Sequence, residues 1–259
     1  MKPLCLSFIA IFSVYCSNAQ KFIGIRGGLS IPNLYAVTNN EISRDYKSVL
    51  SSNAGFLYEA PIMGSDKWAI MLELDYLGVG GVRKGMQPVV SKEPAIQTLY
   101  EQLTAAGVYK GGYLYADYKN ESVFGYLSIP VLVKRYFGEG IRLYLEGGMS
   151  ANILLTAQNT TSGSSRIFYN NNPLQAVTPG GLVPLPAQSF DQTRSIKNDI
   201  HTMNFNVIVG AGLMFPVNKN YFFVDGRFDY GILALQKDKV NGVSNAAAGI
   251  ISVGYAVSL

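Results

Sequence analysis

The chain has 259 residues, of which 48% are hydrophobic and only 15% charged, with a formal net charge of +4. Soluble domains carry roughly 25% charged residues and disordered chains are poor in apolar ones, so the composition excludes a disordered chain. It suits closely packed strands meeting a membrane interface, rich in Gly (27), Tyr (17) and Phe (13). The charge is too small and too scattered for nucleic acid, and no Lys/Arg cluster that could track phosphates is present.

Residues 1–19 read as an export signal: Met1-Lys2 gives a positive start, 4–15 is a short apolar core, and Ser17 and Ala19 are the small residues before a cleavage that leaves Gln20 first. The core is too short to span about 30 Å of hydrocarbon. Bulky Tyr15 argues against a lipoprotein site at Cys16. Both cysteines, Cys5 and Cys16, lie inside this segment, so the mature part, 20–259, has no thiol, disulfide or Cys-ligated metal. No later segment has 18 consecutive apolar residues. Membrane passage then requires a closed barrel, which alone satisfies every backbone group without helices.

Eight segments alternate with a period of two, near 22–31, 53–60, 68–79, 121–137, 141–155, 202–215, 221–232 and 247–259. The last is the clearest: Ile251, Val253, Tyr255, Val257 and Leu259 share one face, Ser252, Gly254, Ala256 and Ser258 the other. Short connections (61–67, 138–140, 216–220) alternate with mostly long ones (32–52, 80–120, 156–201, 233–246). That is the layout of an eight-stranded antiparallel transmembrane up-and-down β-barrel, with short periplasmic turns and longer outer loops. The loop 80–120 predicts a helix capped by Ser91, with Ile96, Leu99, Tyr100 and Leu103 on one face and Gly107 as its stop, packed over the barrel mouth. Residues 158–186, rich in Asn, Ser, Gly and Pro, read as an irregular loop.

Alternation alone also fits a soluble barrel with an apolar interior. The polar parity, however, collects Arg26, Glu59, Glu73, Asp75, Lys134, Arg142, Glu146, Asp225, Arg227 and Asp229, and many glycines that a crowded inner face would need. The apolar parity carries Tyr58, Trp68, Phe137, Phe215, Phe222 and Tyr255 toward the short turns, and Tyr76, Phe228 and Tyr230 toward the long loops. Two aromatic girdles match the two interfaces of a bilayer, so polar-in and apolar-out is the expected arrangement. An eight-stranded interior is just wide enough for its side chains. The four bases are therefore expected to pair with the six acids in a plugged lumen, because an unpaired buried charge costs several kcal/mol.

Three stretches resemble the PorT-like outer-membrane β-barrel domain family: Gly24-Ile25-Arg26-Gly27-Gly28-Leu29-Ser30, the strand Tyr126-Leu127-Ser128-Ile129-Pro130-Val131-Leu132-Val133-Lys134, and Leu143-Tyr144-Leu145-Glu146-Gly147-Gly148. Ser128 departs from the family pattern, which often has an acid there that could partner Lys134. The resemblance implies an outer-membrane location, an eight-stranded barrel and, for its founding member, a link to a protein-secretion and gliding apparatus. The expected partners are outer-membrane lipid and another envelope or secretion protein.

Function is therefore expected to be structural or partner-binding and non-enzymatic, with the tyrosines 109, 113, 115 and 118 as a contact surface or as outward extensions of two strands. One alternative is a small barrel enzyme on lipids or surface proteins, for which Asp199 and the single histidine, His201, are the available pair. The other is a narrow solute or ion channel. No cofactor is expected: Gly24 to Gly28 precede no helix, as a dinucleotide site requires, and with one histidine and no mature cysteine no metal motif is visible.

Overall fold

The computed structural model describes residues 20–37, 41–89, 94–105, 113–172, 176–177, 185–238 and 242–259. The expected export signal over 1–19, the helix cap Ser91, its stop Gly107 and Tyr109 lie outside the described residues.

Eight long strands make one closed antiparallel ring: β1 (Phe22–Ala36), β2 (Ser51–Pro61), β3 (Trp68–Pro88), β4 (Tyr115–Phe137), β5 (Arg142–Ser162), β9 (Met203–Val217), β10 (Asn220–Gly231) and β11 (Ser244–Ser258). Between β5 and β9 lie three short strands, β6 (Ser164–Ser165), β7 (Gln188–Ser189) and β8 (Gln192–Ser195), of which β8 pairs with the outer part of β5. Each long strand pairs with its neighbours in sequence, and β1 closes the ring on β11, with Gly24 opposite Ala256 and Arg26 opposite Gly254. Closure leaves no free edge within the ring, so its ladder groups are paired as hydrocarbon requires.

The short connections end strands with the turn chemistry their sequences carry. Gly138 and Gly140 take positive φ (85° and 71°) between β4 and β5, and Asn218 (57°) does so between β9 and β10. At the opposite, long-loop end the strands outrun their sequence-based limits. β3, β4 and β5 are 21, 23 and 21 residues long, where a tilted crossing needs about 9–11. The segments 80–88, 115–120 and 156–162, which the alternating pattern left in the connections, are thus strand, and Tyr115 and Tyr118 lie on an outward extension of β4 as their alternative reading has it. The β3–β4 pairing continues in one register, from Gly80 opposite Val123 out to Pro88 opposite Tyr115, whereas the β4–β5 pairing shifts by one residue between Gly125 and Tyr126 before it continues outward. Ladder hydrogen bonds propagate without needing an apolar face, so polar sequence did not end these strands.

Helix α1 (Pro94–Ala105) sits against this extension. The Tyr100 hydroxyl donates to the Val89 carbonyl (3.2 Å) and accepts from the Leu114 amide (3.0 Å). Leu103 packs with Leu114, Ile167 and Val177 in a small apolar cluster of its own.

Around the ring the apolar parity faces outward. Ile25, Phe56, Leu74, Val131, Leu145, Val209, Val253 and Ile251 are exposed side chains, while the alternate residues are buried. Glycine on the buried parity makes room for the interior: a Cβ at Gly254 would collide with the Phe223 ring, and one at Gly212 with Tyr144.

Candidate functional site

The interior is stacked in levels along the barrel axis, because each strand contributes every second residue to it. Nearest the short turns lies an apolar and aromatic level that includes Met71, Leu132, Tyr136, Tyr144, Tyr221 and Phe223. Lys134 is embedded there, 3.1 Å from Glu59 and 4.0 Å from Glu146, with its ammonium 4.1 Å from the centre of the Tyr144 ring. Glu59 also accepts from the hydroxyls of Tyr136 (2.6 Å) and Tyr221 (3.1 Å). One carboxylate thus takes three donors, which satisfies its charge without water.

Above it is a denser ionic level. Arg26 Nη1 donates to both oxygens of Glu73 at 2.9 Å, while its Nη2 reaches Asp225 (3.2 Å) and the Ser252 hydroxyl (2.5 Å). Arg227 Nη1 and Nη2 also grip Glu73 at 2.6 and 3.0 Å, and its Nε lies 2.5 Å from Glu146. Two planar guanidinium forks share one carboxylate, the geometry that arginine rather than lysine supplies. Ser252 in turn donates to Asp225, which also accepts from Tyr144 (3.2 Å).

Three of the ten charged residues expected to pair do not. Arg142 is half-buried at the short-turn rim and donates to the Asp66 carbonyl at 3.0 Å. Arg142 is the first residue of β5, so its guanidinium meets the β2–β3 turn at the rim rather than the carboxylates deeper in the lumen. Asp75 and Asp229 are buried but, among the described residues, make no ion pair; Asp229 accepts a hydrogen bond from Asn206. Sequence reading missed Tyr136, Tyr144, Tyr221 and Ser252, although their parity, shared with Lys134, Glu146 and Asp225, was the signal available.

The aromatic residues of the outer face fall at two heights. Arg135 lies over the rings of Trp68 (5.0 Å) and Phe137 (5.1 Å) near the short turns, so this lone charge on the apolar parity rests on aromatic faces. Phe215 and Phe222 are neighbours at 6.2 Å, and the Tyr255 hydroxyl accepts from Asn220 at 2.8 Å. Tyr58, opposite Ile23, is half-buried at this end. Tyr76, Phe228 and Tyr230 are exposed toward the long loops.

Beyond the ionic part, an apolar cluster that includes Leu77, Val79, Phe124, Leu154, Ile200 and Leu235 crosses the lumen. Past it, the mouth opens into a cavity of about 420 Å³ lined in part by Tyr46, Arg83, Tyr118, Asn120, Asn159 and Arg194. Tyr118 stacks on Phe190 at 4.8 Å, and Asn159 donates to Asn120 (2.5 Å) and Ser122 (3.0 Å). Burial, then the hydrogen bond and charge of Glu41, push the Tyr115 phenol up to about 12. His201 is an exposed rim residue whose amide donates to the Leu235 carbonyl (2.8 Å). Among the described residues no group of three or more His, Cys, Asp or Glu side chains converges as a metal cluster.

A closed eight-stranded ring with a charged interior and an apolar, aromatic-banded exterior defines a transmembrane β-barrel of the outer-membrane class. The chain belongs to the outer membrane protein beta-barrel domain family, whose pattern it matches over residues 18–235. No curated protein matches it significantly. Among solved structures it is similar to Neisserial surface protein A (11% identity, 91% of this chain and 96% of that one, TM-score 0.38). It is also similar to Ail, the attachment invasion locus protein of Yersinia pestis (14%, 92% and 99%, 0.32), and to the outer membrane protease OmpT from Escherichia coli (9%, 94% and 98%, 0.35). At these identities and scores the likenesses say nothing of activity.

Proposed function

We propose that the protein is a non-enzymatic, plugged outer-membrane barrel, exported by its N-terminal signal, that holds a recognition surface above the membrane. The observation that carries this reading is the extension of β3, β4 and β5 to about twice the length a crossing requires. A strand that only had to anchor a barrel could stop at the interface. Here three adjacent strands continue together, are buttressed by β8 and α1, and frame the mouth cavity. A rigid, paired platform of this kind pre-organises a binding surface and lowers the ordering cost of a partner's docking.

The lumen supports the plugged part of the reading. Arg26, Lys134 and Arg227 cross it bound to carboxylates, and the cluster around Phe124 and Leu235 lies between them and the mouth. A conducting pore would instead need a continuous polar path. The partner we assign is another envelope or secretion protein, on the PorT-like stretches at Gly24–Ser30, Tyr126–Lys134 and Leu143–Gly148.

A photo-crosslinking amino acid placed at exposed Asp117 or Thr193, on the extension, should give a discrete protein adduct in intact cells. The same probe at lipid-facing Phe56 should give none. Adducts with lipid alone from all three positions, or steady conductance steps in planar bilayers, would overturn the proposal.

A further inference from the structure

The level of the lumen between the ionic network and the outer apolar cluster is lined by amide, hydroxyl and carboxylate groups. Among the described residues, nine buried side-chain nitrogen or oxygen atoms have no hydrogen-bond partner, and six of them lie here: Ser30 Oγ, Asn53 Oδ1, Asp75 Oδ1, Ser128 Oγ, Asn152 Oδ1 and Asn206 Oδ1. Register places them together. Asp75 is opposite Ser128, and Ser128 is opposite Asn152. Asn53 is the inward residue next to Gly55, the partner of Asp75. Asn206 is opposite Ser150, the hydroxyl to which Asn152 donates, and itself donates to Asp229. Ser30 is the next buried residue after Gly28, the partner of Asn53, along β1.

The three asparagines share a further feature. Each spends its amide nitrogen on a protein acceptor (Asn53 on the Tyr76 carbonyl, Asn152 on the Ser150 hydroxyl, Asn206 on Asp229) and turns its carbonyl oxygen to an unpaired position. The amide surplus is therefore one of acceptors, beside two buried carboxylates that form no ion pair among the described residues. The spanning part of the lumen holds six buried carboxylates (Glu59, Glu73, Asp75, Glu146, Asp225, Asp229) against three buried bases (Arg26, Lys134, Arg227), a formal excess of three negative charges. Amide, hydroxyl and carboxylate oxygens without nitrogen or sulfur are the ligands of a hard cation, and six to eight of them at flexible spacing suit one of calcium's size.

We propose that this level binds one calcium-sized divalent cation between Asp75 and Asp229, with Asn53, Ser128, Asn152 and Asn206 supplying neutral oxygens. The site stands apart from the outer platform and does not depend on that reading. Apolar clusters on both sides make exchange slow, so the ion enters as the barrel closes.

The test is to unfold the full chain in urea and refold it into detergent with calcium chloride or with EDTA. After gel filtration, metal content is read by elemental analysis and the barrel by its boiling-dependent gel mobility. Wild type refolded in calcium should retain about one calcium per chain and convert to the slow-migrating form at a higher temperature than the EDTA sample. The double variant Asp75→Asn/Asp229→Asn should retain none, while Asp191→Asn at the exposed mouth should behave as wild type. Should the double variant not fold, Asn152→Ala carries the comparison and should release its calcium to EDTA faster than wild type. A wild type that holds no calcium, a folded double variant that holds as much, or an Asn152→Ala barrel that releases it no faster would overturn the assignment.

Discussion

Replacing Arg227 by methionine tests the ionic level most directly. Its guanidinium is the only group joining Glu73 to Glu146 among the described residues, with contacts of 2.5 to 3.3 Å to both carboxylates and 3.4 Å to Asp225. Methionine keeps the volume of the stem and removes the charge, leaving Glu146 only Lys134 at 4.0 Å. Removing one partner of a buried pair costs about 3–5 kcal/mol, because the remaining charge stays desolvated. Glu73 keeps Arg26, so the lower part of that range, about 3 kcal/mol, is expected. Adding Glu146→Gln removes the orphaned charge and should return part of the loss, a coupling of about 1–3 kcal/mol. The assay is urea unfolding of the vesicle-inserted protein, followed by the folded and unfolded gel bands. A change below about 1 kcal/mol for Arg227→Met, the range of an exposed pair, would mean that the level is open to water and that the plugged lumen is wrong.

Other expectations follow from single contacts. Gly254→Leu should prevent barrel closure, since its side chain would occupy the space of the Phe223 ring; a normal heat-shifted band would refute the packing. On the outer face, Val253→Lys should cost about 2–4 kcal/mol if that residue faces the bilayer midplane; an unchanged unfolding midpoint in vesicles would place the face in water. At the mouth, the Gly163 amide and the Ser189 hydroxyl hold the Asp191 carboxyl below the usual aspartate range. A depressed folded value gives stability that is present above the unfolded value and lost as pH falls through the folded one. Solvent-exchange NMR should therefore find the Gly163 amide protected at neutral pH, and Asp191→Ala, which removes the acceptor, should abolish most of that protection; equal protection in the variant would disprove the contact.

The sequence by itself determined the class of fold and the direction in which it faces. A period of two over Ile251 to Leu259, and charge gathered on one parity with Arg135 as the exception, call for a two-faced strand, and eight such strands without free edges must close. It also located the bends, because Gly138, Gly140 and Asn218 accept positive φ where bulkier residues do not. Tertiary structure decided the rest. The extent of β3 and β5 is invisible in the pattern of 80–88 or 156–162, and that of β4 is signalled only by Tyr115 and Tyr118, because a ladder needs only a neighbouring backbone, and that neighbour is supplied by pairing. Which acid meets which base depends on strand tilt and stagger, and these sort Arg26, Glu73, Asp225 and Arg227 into one level while leaving Arg142 at the rim. The same stagger gathers Asn53, Asp75, Ser128, Asn152, Asn206 and Asp229 from six separate strands. No local spacing could announce that level, since its members are neighbours only across the lumen of the closed ring.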